Sequence, residues 1–360
     1  MKPFTATKVA NARLNEGEYN EGATLLHSLP RALFIELTRG CNLTCPMCRT
    51  EKIPSAGLVM AAELFDAVAE TLFPTAELVD LRGWGESLIL PEIRERMATV
   101  TQYGARLRLV TNLSFRRDDI LKALAANQAD TEISLDTSDP TLLKFLRGGA
   151  DHELILRNIR LLIEAYGHPN NLRVLVTVQR PAIASLPQLI QDVARAGIRR
   201  VIFFSVSASD DSELGLRGQD TQIDEAIQRC GAIAKDAGVT LTMGTKLGTS
   251  PDNPTGLPAC LHPWAYCYIA YDGKVGFCDH LIGPSNAEYL IGDLTLAPFI
   301  AAWNSEGLQR IRAEHTSVRR ASAPQFKHCA WCYKEKHVDF EYTFDSRQRQ
   351  HMVFAPGSAT

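Results

Sequence analysis

Apolar residues recur along this chain with two periods, and the two alternate. Runs rich in β-branched and apolar residues fall at 32–38 (ALFIELT), 77–83 (ELVDLRG), 106–112 (RLRLVTN), 131–136 (TEISLD), 172–179 (LRVLVTVQ) and 199–206 (RRVIFFSV). Such runs read as buried strands. Between them the spacing becomes helical: Leu64, Phe65, Val68 and Leu72 mark one stripe, and Leu186, Leu189, Ile190 and Val193 another. The alternation predicts an α/β fold with a parallel sheet and outer helices, and GVTLTMG at 238–244 is a candidate seventh strand. In parallel α/β folds, binding and chemistry gather at the carboxyl ends of the strands.

The texture changes after about Lys246, where GTSPDNPTGLPAC (248–260) concentrates Gly, Pro, Ser and Asn as a linker does. The chain therefore divides into an N-terminal extension (1–30), the α/β domain (31–245), a smaller cysteine-bearing domain (246–335) and a polar tail (336–360). Its hydrophobic share of 45% and charged share of 22% are those of a protein with a substantial core. The net charge is −3 and no Lys/Arg run stands out, which argues against nucleic acid or an anionic membrane as partner. Neither a signal-peptide apolar region nor a stretch apolar enough to span a bilayer occurs. The expected compartment is the cytoplasm, where thiols stay reduced and clustered cysteines indicate metal binding or catalysis.

Three of the nine cysteines fall in RGCNLTCPMC (39–48), directly after the first strand. A structural zinc site takes four ligands, and C-x-x-x-C-x-x-C lacks the fourth. A four-iron cluster held by three thiolates instead leaves one iron open to a substrate or cofactor. Cys41, Cys45 and Cys48 have the spacing to wrap such a cluster within one loop. On this motif the chain resembles the radical S-adenosylmethionine (SAM) superfamily, whose fold is a partial (β/α)6 barrel. The resemblance implies a 4Fe–4S cluster on these cysteines, SAM on its open iron, and reductive cleavage of SAM to a 5′-deoxyadenosyl radical. It also implies an external electron donor of the flavodoxin or ferredoxin kind.

Other strand ends match the family in order. LRGWGES (81–87) is similar to its Gly-Gly-Glu motif. Gly83, Trp84, Gly85 and Glu86 are therefore expected at the SAM amino group, glycine letting the backbone approach the ligand. Trp84 stands where glycine is common and Ser87 where proline is. Thr111 and Asn112 end the third strand, Ser134 and Asp136 the fourth, and Gln179 the fifth. The resemblance makes this series SAM contacts, with ribose and carboxylate partners at the fourth strand and beside it. Met47 replaces a frequent aromatic, and its backbone is expected to meet the adenine.

The second region contains CLHPWAYCYIAYDGKVGFC (260–278) and HCAWC (328–332). Asp272-Gly273 between two alternating runs is the signal of a two-residue hairpin turn. That turn would pair Tyr271 with Lys274 and Cys267 with Cys278, on one face. The region resembles the twitch domain, a short form of the SPASM domain, which implies one auxiliary 4Fe–4S cluster. The family pattern falls on Cys260, Pro263, Trp264, Gly273, Cys278, Cys329 and Cys332, with the strand IGDLTL (291–296) and the helix AAWNSEGLQRIRAE (301–314) between its halves. Family spacing selects Cys260 as the ligand, while the expected hairpin leaves Cys267 as its alternative. A zinc ribbon is the other use of four such cysteines. Cys230, in a helical run, reads as an inert buried thiol.

Barrel plus twitch is the layout of radical dehydrogenases and epimerases of the butirosin and spectinomycin type, which act on aminocyclitols. Peptide-modifying relatives usually carry a longer leader-binding domain or a second auxiliary cluster. An epimerase needs a thiol hydrogen donor, and no cysteine lies between Cys48 and Cys230. Ser205 and Ser207 have O–H bonds too strong to serve. Cys267 is then the one candidate donor, and its hairpin position ties it to the auxiliary site. The expected reaction is therefore oxidation of a secondary alcohol on a small aminocyclitol or sugar-like antibiotic precursor, with the auxiliary cluster as electron acceptor. Epimerisation using Cys267 and peptide modification are the alternatives. Asp279 and His280, directly after Cys278, are candidates for the general base. A non-catalytic iron–sulfur or zinc protein is the reading from a different class, and it would not need the SAM series on four strands.

Overall fold

The computed structural model describes residues 4–48, 58–206, 212–244, 260–278, 289–316 and 329. The chain opens with helix α1 (Ala6–Asn20), then strand β1 (Ala32–Ile35), α2 (Ala62–Leu72), β2 (Leu78–Asp80), α3 (Ile93–Gln102), β3 (Arg106–Thr111), α4 (Asp118–Ala126) and β4 (Asp130–Ser134). It continues through α5 (Pro140–Leu146), α6 (His152–Tyr166), β5 (Leu172–Val178), α7 (Leu186–Arg195), β6 (Arg200–Ser205), α8 (Asp220–Asp236) and β7 (Thr240–Met243). The second region adds α9 (His262–Ala265), β8 (Tyr266–Ile269), β9 (Lys274–Gly276), β10 (Leu290–Asp293), α10 (Phe299–Trp303) and α11 (Glu306–Thr316). All six expected strands are present and β7 is the seventh.

Among the described residues the strands form one sheet, ordered β10-β9-β8-β1-β2-β3-β4-β5-β6-β7. From β1 to β7 every pairing is parallel, the α/β core that the alternating pattern predicted. Side-chain alternation sorts residues between the two faces. Leu33, Val79, Ile133, Val174 and Val201 are fully buried in the core they share with the helical stripes Phe65–Leu72 and Leu189–Val193. The opposite face is charged. Asp80 accepts from Arg82 (2.7 Å) and from Arg108, Arg82 also meets Glu132 (3.2 Å), and Arg173 pairs with Glu132 (3.2 Å). Buried charges persist only when paired, so this inner face is a floor of interlocked ion pairs beneath the strand ends. The Phe34 ring lies under both Arg82 and Arg108, with guanidinium carbons 5.3 and 5.6 Å from its centroid.

The cysteine-bearing region does not form a separate sheet. β8 pairs in parallel with β1, setting Leu33 opposite Cys267 and Phe34 opposite Tyr268. Its hairpin differs from the expected one. Tyr268 pairs with Gly276 and Ile269 with Val275, and the Ala270 N–H donates to Lys274 O (2.8 Å). The loop is therefore three residues, Tyr271 to Gly273, closed by a Gly273 N–H to Ala270 O bond (2.9 Å) with Gly273 at φ +87°. A left-handed glycine after the turn adds one residue to the loop, and a one-residue slip flips every side chain. The expected pairing of Cys267 with Cys278 is thus corrected: continuing the register sets Tyr266 opposite Cys278. Cys267 shares the helix-covered face with Leu33, fully buried, and burial pushes its thiol far up.

The residues read as an N-terminal extension are stitched to the second region. Asn15 Nδ2 donates to Trp264 O (2.7 Å), Trp264 Nε1 to Ala23 O (2.8 Å), and the buried Arg312 guanidinium to Thr24 O (2.7 Å) and Pro263 O (2.9 Å). At the other end of α1, the buried Lys8 ammonium donates to Phe73 O and Ala76 O (2.6 Å), capping the carbonyls that end α2. No described helix is long and apolar enough to cross a membrane.

Candidate active site

Beyond β1 the chain runs through Glu36, Leu37 and Thr38 into the loop that carries Cys41, Cys45 and Cys48. Two glycine turns from other strand ends grip this loop through main-chain bonds. After β2, Gly85 N–H donates to Thr38 O (3.2 Å) and Glu86 N–H to Gly40 O (2.8 Å). After α5, Gly148 O accepts from Thr44 N–H (3.1 Å). Neither turn has room for a side chain: a Cβ on Gly85 would lie 2.4 Å from Gly40 O, and one on Gly148 2.1 Å from the Thr44 carbonyl carbon. A Cβ on Gly83 would meet the Glu36 side chain at 2.5 Å. The glycines expected to make way for a ligand are required first by the approach of the protein to itself.

Cys41 and Cys45 are half-buried and Cys48 is exposed. Cys41 Sγ accepts from Leu43 N–H (3.4 Å) and faces Asn112 Nδ2 (3.8 Å). Burial raises the Cys41 thiol and pushes Cys45 up to about 11, with the Arg147 guanidinium pulling Cys45 the other way. Such thiols hold their protons until a metal displaces them. Among the described residues no three His, Cys, Asp or Glu side chains converge as they would around one metal ion.

The strand-end candidates surround this loop. Glu86 is buried; its carboxylate accepts from Asn112 N–H (2.7 Å) and Leu88 N–H (3.2 Å), and desolvation pushes it up to about 7. Thr111 is buried and accepts from Leu113 N–H (3.0 Å). Asn112 reaches the cluster loop, donating to Asn42 Oδ1 (2.9 Å). Leu113 then adopts φ +52°, an uncommon backbone for leucine, with its carbonyl held by Asn158 Nδ2 (3.0 Å). Met47, Trp84 and Ser134 are half-buried at the same ends.

Asp136, expected as a SAM contact, is engaged within the protein. It is fully buried and accepts four bonds: Arg147 Nε and Nη2 (both 2.7 Å), Thr177 N–H (2.8 Å) and Gln179 Nε2 (3.1 Å). A carboxylate has about four acceptor positions, and these four bonds use them within the protein. Gln179, fully buried beside it, is the opposite case: its Oε1 has no hydrogen-bond partner and is available to an ammonium or hydroxyl. A loop of three cysteines, a loop cradle built on glycine and an orphaned buried acceptor fit a cluster with SAM beside it. Arg147, Gly148 and Glu36 were not singled out from sequence. The Arg-Gly-Gly at 147–149, directly after a helix, was the available signal for the first two.

In the second region Cys260 is half-buried, and Cys278 and Cys329 are buried. Cys332, Asp279 and His280 lie outside the described residues. Glu36, fully buried at the end of β1, joins the two regions: it accepts from Trp84 N–H (3.2 Å) and interacts with Tyr268 and Tyr271 of the hairpin.

Known proteins supply the same two parts. Residues 35–180 match the Radical SAM superfamily model, and residues 260–333 match SPASM, an iron–sulfur cluster-binding domain. The AdoMet-dependent heme synthase of Methanosarcina barkeri is 24% identical over 338 residues, covering 84% of this chain and 91% of that protein. The tungsten-containing aldehyde ferredoxin oxidoreductase cofactor-modifying protein of Pyrococcus furiosus is 25% identical over 173 residues, 46% of this chain and 49% of that relative's length. Among solved structures, Streptococcus suis SuiB bound to S-adenosylmethionine superposes with a TM-score of 0.63 at 16% identity, over 85% of this chain and 70% of that one. anSMEcpe with bound AdoMet gives 0.63 at 15% identity, over 85% and 84%. At these identities the structural likeness establishes the fold.

Proposed function

From a radical SAM domain followed by an auxiliary-cluster domain in one chain, we propose a radical SAM dehydrogenase that oxidises a secondary alcohol to a ketone on an aminocyclitol or sugar-like antibiotic precursor. Two 4Fe–4S clusters and SAM, when bound, supply the hydrogen-abstracting radical and the electron acceptor. Cys41, Cys45 and Cys48 would hold the first cluster, and Cys260, Cys278, Cys329 and Cys332 the second. Gln179 Oε1, which has no hydrogen-bond partner, and the half-buried Ser134 would orient SAM. An external flavodoxin- or ferredoxin-like donor and a cytoplasmic setting complete the reading.

One observation carries the choice of oxidation over epimerisation. The pairing of β8 with β1 turns Cys267 to the helix-covered face, where it is fully buried beside the β1 core. Cys230 is buried within α8. The remaining cysteines are assigned to the two proposed ligand sets, so among the described residues no thiol outside those sets is placed to return a hydrogen atom to a substrate radical. The interlocked Asp80, Arg82 and Glu132 beneath the strand ends suit a substrate rich in hydroxyl and amino groups.

Anaerobic reconstitution with SAM and dithionite, followed by turnover in deuterium oxide, tests the reading. Release of 5′-deoxyadenosine separates an enzyme from an electron carrier. A ketone lacking the two hydrogens of the alcohol supports a dehydrogenase, and a product inverted at carbon and carrying solvent deuterium would overturn it.

A further inference from the structure

The turn that grips the cluster loop also brings a cation to it. Arg147 caps the C-terminus of α5 and immediately precedes Gly148, whose carbonyl accepts the Thr44 N–H. Its side chain is only 11% exposed and is bound in bidentate fashion by Asp136. Asp136 is in turn fixed by Thr177 N–H and Gln179 Nε2. A pair buried this deeply loses hydration on both sides, and the loop is already held by the Gly148 backbone. What the pair adds is a guanidinium of fixed position, acting electrostatically on both Cys45 and Cys48.

We propose that Arg147, clamped by Asp136, is an electrostatic partner of the cluster on Cys41, Cys45 and Cys48 that stabilises its reduced form. The inference rests on the reading that these cysteines hold an iron–sulfur cluster. Reduction adds one electron, from a low-potential donor such as dithionite or a reduced ferredoxin, and so one negative charge. A fixed cation in a partly buried site favours that charge. Asp136 opposes it with its own negative charge while fixing where the cation sits.

The test is a redox titration of the cluster-loaded protein without SAM, so that no contact between Arg147 and SAM contributes. The signal followed is the electron paramagnetic resonance of the reduced cluster that Cys41→Ala, Cys45→Ala and Cys48→Ala together remove. Arg147→Gln is expected to lower the reduced-to-oxidised ratio at a fixed potential about tenfold, a shift of about 59 mV for a one-electron couple. Arg147→Lys should retain most of that ratio. Asp136→Asn should move the midpoint upward. Opposite signs for Arg147→Gln and Asp136→Asn are the signature that a merely structural role would not produce. Unmoved midpoints, or two shifts in the same direction, would overturn the inference. Should Arg147→Gln lose its cluster, Asp136→Asn decides, and an unmoved or lowered midpoint there overturns it. A wild-type protein that takes up no cluster on these cysteines would overturn both readings, whereas an intact cluster with unmoved midpoints overturns this one alone.

Discussion

The loop over Cys41–Cys48 and the hairpin over Cys267–Cys278 grow from neighbouring strands of one sheet, β1 and β8, yet they aim their cysteines by different means. The loop is gripped from two sides by backbone: Gly85 and Glu86 after β2, Gly148 after α5. Its three thiols belong to one short segment, so their relative spacing is local. The hairpin holds its cysteines through strand pairing instead, β8 against β1 and β9 against β8. Cys267 takes its face from the pairing of β8 with β1, and the face of Cys278 relative to it follows from the three-residue turn that ends in Gly273. Ligand sets within a loop follow from spacing, whereas ligand sets on strands follow from register.

The largest expected effect strikes the loop. Gly148→Ala sets a carbon 2.1 Å from the Thr44 backbone, which cannot swing aside, and strains a residue at φ +50°. The expected cost is about 3 kcal/mol or more, with iron and sulfide per chain falling to the share of the auxiliary cluster. Unchanged iron content would mean that the grip is not what seats the loop.

The next effect is a pH dependence on the same side of the comparison. Burial raises Glu86 from 4.5 to about 7 in the folded protein. The folded state therefore binds this proton more tightly than the unfolded chain, and the resulting stability is complete below about 4.5 and lost as pH rises through about 7. Across that window the apo protein should lose on the order of 3 kcal/mol through this group. Glu86→Gln does not titrate, so its denaturant midpoint should vary less than wild type between about pH 5 and about pH 7.5. Parallel curves for the two proteins would refute the assignment.

The hairpin should respond more mildly. Cys267→Ala removes a buried sulfur from the helix-covered face and should cost about 1–2 kcal/mol. Iron content and the rate of substrate oxidation should stay at wild-type values. A loss of cluster or of turnover would restore Cys267 to the chemistry and erase the contrast. Smallest is Gly273→Asn, because asparagine tolerates the left-handed region; it should cost about 1 kcal/mol or less. Gly273→Val should cost more, and hydrogen exchange at Ala270 and Gly273 reads the difference directly.

The sequence by itself determined much of this protein. The alternating apolar periods set the seven parallel strands and their order of appearance, because burial on one or both faces dictates period and length locally. The eight-residue span from Cys41 to Cys48 pointed to a ligand loop, because ligands on one short segment carry their geometry with them. Tertiary structure alone decided where Cys267 points, since the pairing of β8 with β1 sets its face. It also decided that Cys278 takes the other face, since the closure of a hairpin, not its apolar pattern, chooses between a two- and a three-residue turn. It alone showed that Gly83 and Gly85 answer to Glu36, Thr38 and Gly40. Asp136, read as a ligand contact, became the anchor of Arg147, because the guanidinium that fills its acceptor sites arrives eleven residues later across a turn. Periodicity is a property of neighbours along the chain; the pairing of buried charges and the close approach of backbones are properties of neighbours in space, and they exist only once the sheet has brought the strand ends together.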